Sequence, residues 1–104
     1  MSAAAREPAK GELAQNAARL RIDRILVNLR LARTRSAARA LVEEHALRCN
    51  RKRVLRASDT VAIGDVLTVA LGREVRVIKL LALPERRASP ARAREMYREL
   101  DPQG

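Results

Sequence analysis

Residues 33–42 read RTRSAARALV: Arg33, Arg35 and Arg39 crowd around Thr34 and Ser36, and the apolar residues Ala38, Leu41 and Val42 follow at helical spacing. Thr34 suits an N-cap, so the spacing predicts a helix running to about Glu44, with His45 where it ends. Cationic side chains at a helix N-terminus oppose the positive end of the dipole and cost about a few tenths of a kcal/mol, unless an anion is meant to arrive. Arg35 and Arg39 stand four apart, opposite the apolar stripe, so both guanidinium groups project together. The expected anion is a phosphate.

Upstream, Ile22, Ile25, Leu26 and Leu29 follow the i, i+3, i+4, i+7 pattern of a first amphipathic helix, with Asp23 near its start and Arg21, Arg24 and Asn28 on a neighbouring face. A short break at Leu31 to Arg33 separates the two helices. Residues 1–19, MSAAAREPAKGELAQNAAR, lack a large-apolar period and read as a disordered leader. Downstream the period changes. LRCNRKRVL reads as two short strands with a turn at Asn50-Arg51. Gly64-Asp65 marks another turn, Leu67, Val69 and Leu71 share one face of a strand, and the chain reverses at Gly72 into a long strand through Val75 and Val77. Ser89 and Pro90 open a last helix expected to run to about Leu100, which either docks on the sheet through Met96, Leu100 and Tyr97 or stands as a partly exposed tail. Helices followed by a small antiparallel sheet make an α+β arrangement.

The 104-residue chain carries a formal net charge of +10, from 22 basic and 12 acidic residues. Between Arg21 and Arg56 eleven cations face only Asp23, Glu43 and Glu44, so most of the excess is one patch. Such a patch points to a polyanion, either nucleic acid or an acidic membrane. Tyr97 is the one aromatic residue. Single-strand binders stack bases on rings, so this composition favours a grip on folded or duplex backbone.

Catalytic chemistry finds no support. His45 and Cys49 are single, which leaves no intrachain disulfide and no ligand set for a structural metal. Cys49 reads as a small packed residue, and Glu43 and Glu44 diverge on their helix. No Gly-rich phosphate loop occurs, so neither an enzyme activity nor a cofactor is expected. No apolar run is long enough for a signal peptide or a membrane span, and a cytoplasmic protein without a membrane partner is expected.

RIDRILVNLRLARTRSAARALVEEHALRCNRKRV, with the later IGDVLTV, resembles the S4 RNA-binding domain. The matching residues are Arg21, Ile22, Asp23, Arg24, Thr34, Arg35, Ser36, Ala38, Arg39, Leu41, Val42 and Asn50. ERRASPARAREMYREL, with Arg86, Arg87 and Tyr97, is similar to the extension of the ribosome-associated heat shock protein 15 family. This chain departs from that pattern at Ile25 and Val27, where tryptophans are usual, and at His45 and Arg51, where glycines are usual and a positive φ is expected.

The resemblance implies an S4-like (alpha-L) fold at residues 20–84 and an extension at residues 85–104 with a short helix. It implies a monomer that binds ribosomal RNA of the large subunit, in free or stalled subunits carrying a nascent chain, with peptidyl-tRNA as a further candidate. The RNA-binding residues would be Arg21, Arg24, Arg33, Thr34, Arg35, Arg39, Asn50, Arg51, Lys52 and Arg53. Two other readings remain open: a DNA-binding regulator of the helix-turn-helix type, which leaves the sheet unexplained, and a constitutive ribosome or assembly component.

Overall fold

The computed structural model describes residues 18–101, so nearly all of the expected leader lies outside the described residues. The elements are β1 (Leu20–Arg21), α1 (Ile22–Asn28), α2 (Arg35–Glu43), β2 (Leu47–Cys49), β3 (Lys52–Arg53), β4 (Thr60–Val61), β5 (Val66–Leu71), β6 (Glu74–Leu80), α3 (Pro90–Glu95) and β7 (Tyr97–Leu100). The α+β arrangement expected from the sequence is present: two helices, an antiparallel sheet and a short C-terminal helix.

Each expected stripe residue of α1 is buried, Ile22, Ile25 and Leu26 completely. From α2, Ala38 and Val42 join the same core, and Leu41 packs against its edge. The Thr34 hydroxyl accepts from the Ala37 N–H at 3.0 Å, the predicted N-cap. Both helices end in one way. The Leu31 N–H reaches the Leu26 carbonyl at 2.8 Å and the Ala46 N–H reaches that of Leu41 at 2.9 Å, each closing a Schellman motif. That motif needs a left-handed residue just past the cap, and here Arg30 (φ 63°) and His45 (φ 60°) occupy it in place of glycine.

Five strands pair in the order β3-β2-β5-β6-β7, antiparallel throughout, while β1 and β4 form a separate two-stranded pair. Leu47, Leu67, Val69, Ile78 and Leu80 line the sheet face that joins the helices in one core. Asn50 (φ 52°) and Arg51 (φ 72°) are the two central residues of the β2–β3 hairpin, so both take the positive φ of a type I′ turn. Arg51 thus holds the left-handed conformation that the departure from glycine implied.

The C-terminus departs from expectation. The helix opened by Ser89 and Pro90 stops at Glu95, and Tyr97–Leu100 runs as strand β7 beside β6. The Met96 carbonyl leaves the helical ladder to accept from Leu81 N–H at 2.8 Å and Ala82 N–H at 3.1 Å. Beyond it the Arg76 guanidinium forks onto Glu99 at 2.8 and 3.0 Å and also donates to the Tyr97 hydroxyl at 3.1 Å. Without β7, β6 would be an open edge, and six residues of α3 are too few for a helix to propagate on its own propensity.

Candidate nucleic-acid interface

The site is organised by a buried carboxylate. Asp23 has no exposed surface, yet it stands at the first turn of α1 where Arg21 donates to it through two nitrogens, at 3.0 and 3.2 Å. Arg35, the first residue of α2, approaches the same carboxylate at 3.6 Å. One buried anion therefore ties the starts of both helices together and holds two arginines whose side chains remain 45% and 56% exposed. A buried charge is tolerated when paired in this way, and removing its partners would be costly. The loop after β3 completes the junction: Ile22 N–H donates to the Asp59 carbonyl at 2.7 Å and Asp23 N–H to that of Ala57 at 3.2 Å, satisfying the first amides of α1.

The other expected binding residues divide by what their polar atoms do. The side chains of Arg33 and Arg39 are exposed and make no hydrogen bond or ion pair with the described residues, and the same holds for the side chains of Arg51, Lys52 and Arg53. Glu43 lies one turn beyond Arg39, the spacing of an ordinary exposed pair, but the two do not meet within 4.0 Å. Thr34 spends its acceptor on capping α2. Asn50 is fully engaged: its amide donates to Asp65 at 3.1 Å, and its side-chain oxygen accepts from Val66 N–H at 2.9 Å. Arg24 donates to the Glu85 carbonyl at 2.7 Å. With Asn28 on the Pro84 carbonyl at 2.9 Å and Arg30 on that of Ala88 at 2.6 Å, it straps the segment 84–88 to α1.

What remains open to a ligand is the start of α2, with Arg33, Arg39 and the amides of Arg35 and Ser36, which have no intrahelical acceptor. Arg21 and Arg35 stand beside it on Asp23. No hydrogen bond or ion pair joins the Asn50–Arg53 hairpin to α2 among the described residues; the hairpin is linked to the patch through the loop docked on α1. The arrangement can hold phosphates by charge-assisted bonds, with planar guanidiniums suited to two-pronged contact. Asp23 is the residue of this patch that the sequence reading leaves out of the candidate site. Its signal was an acid placed between Arg21 and Arg24, in a patch with almost no other acids.

Cys49 is half-buried, and its Sγ donates to Asp65 at 3.7 Å. Burial and the neighbouring carboxylate push its pKa up to about 11, so the thiol stays protonated and unreactive near neutral pH. Among the described residues no cluster of His, Cys, Asp or Glu is placed to hold a metal ion, and no helix is long and apolar enough to cross a membrane.

Comparison with known proteins agrees with the fold. The family description "S4 domain" matches residues 20–67. The heat shock protein 15 homolog of Haemophilus influenzae is 32% identical over 82 residues, which cover 79% of this chain and 62% of that protein. The solved structure of heat shock protein 15 from Vibrio cholerae is similar at a TM-score of 0.74 and 30% identity, over 79% of this chain and 82% of that one. That structure is trimeric, which runs against the monomer expected from sequence.

Proposed function

The chain belongs to the heat shock protein 15 family of S4 domain proteins, and on that premise we propose that its RNA is ribosomal RNA of the large subunit, bound by a basic face centred on the start of α2. Residues 20–84 are the RNA-binding unit and residues 85–104 an extension of it. The protein is an RNA binder without enzymatic activity, working in the cytoplasm, where ribosomes are.

The observation that carries this reading is Asp23. A small domain buries a carboxylate completely, and the two arginines that compensate it are left half in solvent at the head of a helix, next to the unpaired Arg33 and Arg39. Burying a charge in order to position other charges is hard to explain as stability alone, since an apolar residue there would hold the core as well or better. It is explained if the guanidiniums must stand in a fixed arrangement before the phosphates arrive. Recognition then follows backbone shape, with little reading of base sequence.

Free or stalled large subunits carrying a nascent chain, with their peptidyl-tRNA, are the particular target. Sedimentation with purified subunits, with and without stalled nascent chains, tests this: the protein should travel with the large subunit and be enriched on the stalled form. Equal recovery on intact ribosomes and on both free subunits would instead mark a constitutive component, and recovery with none would refute the reading.

A further inference from the structure

The sheet has a second face, turned away from the helices, and no element among the described residues covers it. The strand register puts Arg53, Arg48, Thr68, Val77 and Leu100 in one row across all five strands. A neighbouring row holds Val66, Lys79 and Arg98. The side chains of Arg48, Arg53, Lys79 and Arg98 are exposed and have no ion pair or hydrogen bond among the described residues. Two like-charge pairs therefore sit directly opposite each other on neighbouring strands: Arg48 with Arg53, and Lys79 with Arg98. Directly opposed like charges destabilise a sheet. On the same face lies an open groove lined by Asn50, Arg51, Val66, Thr68, Val75, Val77 and Leu100, with Asp101 as its one acid. Val75 is 49% exposed there.

We propose that this outer sheet face is a second RNA-binding surface, on which a strand continuing past the Asn50–Arg53 hairpin lays its phosphates across Arg48, Arg53, Lys79 and Arg98. The inference rests on the RNA-binding reading above and extends the ligand from the helical patch, round the hairpin, onto the sheet. Charge decides the occupant. Two copies of this chain meeting through the same face would set these cations against each other with almost no acid to offset them, whereas a phosphate backbone neutralises both cross-strand pairs at once. The aliphatic floor of Val75, Val77 and Leu100 suits sugar edges, and with no aromatic ring on it no base stacking is called for.

The test compares the full chain with two double variants, Lys79→Ala with Arg98→Ala, and Arg33→Ala with Arg39→Ala, binding a structured fragment of large-subunit RNA across a salt series. Replacing Lys79 and Arg98 relieves a repulsion, so thermal stability should hold or rise. Affinity should nevertheless fall about tenfold or more, and the slope of log K against log salt should flatten by about 0.7–0.9 for each phosphate lost. Parental affinity and slope in this variant, alongside a loss in the Arg33 and Arg39 variant, would overturn the proposal and leave the helical site standing. The same result with a smaller species in sedimentation would assign the face to self-association instead. Parental binding by both variants would refute the helical reading and this one together.

Discussion

Replacing Arg51 with glycine should push stability and binding in opposite directions. Arg51 holds φ 72° at the second central position of a type I′ turn, where glycine is the preferred residue. A side chain in the left-handed region costs about 1–2 kcal/mol, and the extra freedom glycine gains in the unfolded chain returns about 0.5–1 kcal/mol. The net expectation for Arg51→Gly is a gain of about 0.5–1 kcal/mol, which in a domain of this size raises Tm by about 2–8 °C. The guanidinium lost in the exchange is exposed and unpaired. If it meets a phosphate, its removal costs about 1.5–3 kcal/mol of binding, tenfold or more in Kd, and flattens the salt slope by about 0.7–0.9. Thermal melts and fluorescence anisotropy against ribosomal RNA measure the two effects. Arg51→Asn, which tolerates the same φ without the charge, should bind as weakly as the glycine variant, and Arg51→Lys should restore most of the affinity without the stability. A glycine variant that melts lower than the parent, or binds RNA equally well, would refute the view that this turn accepts strain to present a cation.

Arg35→Ala should lower both Tm and RNA affinity, because it also strips a partner from buried Asp23, whereas Arg39→Ala should lower affinity and leave folding stability within about 0.5 kcal/mol of the parent; equal melts for the two variants would contradict the anchoring role of Asp23. The Cys49 pKa of about 11, against 9.0 for an ordinary thiol, predicts about a hundredfold less thiolate near pH 8 and alkylation slower than for an exposed cysteine. Because the folded state keeps this proton longer than the unfolded state, the contribution is complete below about pH 9 and is lost as pH rises toward about 11. Cys49→Ser, titrated alongside, should show a shallower alkaline loss.

The helical half of the fold was legible because burial imposes period: Ile22, Ile25, Leu26 and Leu29 all point inward, and nothing competes with them. The hairpin turns were legible from Asn50 and Gly72, residues that accept positive φ. The helix ends were harder, since Arg30 and His45 take Schellman positions in which glycine is the usual signal. β1 and β4 are two residues each, too short for alternation to register. Residues 97–100 were not legible as a strand because YREL favours helix locally, and only the open edge of β6 and the Arg76–Glu99 fork, both remote in sequence, make it a strand. In the candidate site, charge and spacing marked Arg33, Arg35 and Arg39, but spacing cannot show which polar groups the fold itself consumes. Thr34, Arg24 and Asn50 carry the motif and are engaged in the domain's own bonds, while Asp23 is what fixes two of the arginines.

The central claim is that the start of α2 holds phosphates, and the salt dependence of ribosomal RNA binding by the parent and by the Arg33→Ala, Arg39→Ala double variant tests it most directly. With about four to six phosphates neutralised, the parent should show a slope of log K on log salt of roughly −3 to −5, and the double variant should lose about 1.4–1.8 from that slope with its Tm unchanged. A parental slope near zero, or a double variant whose slope and affinity match the parent, would contradict it.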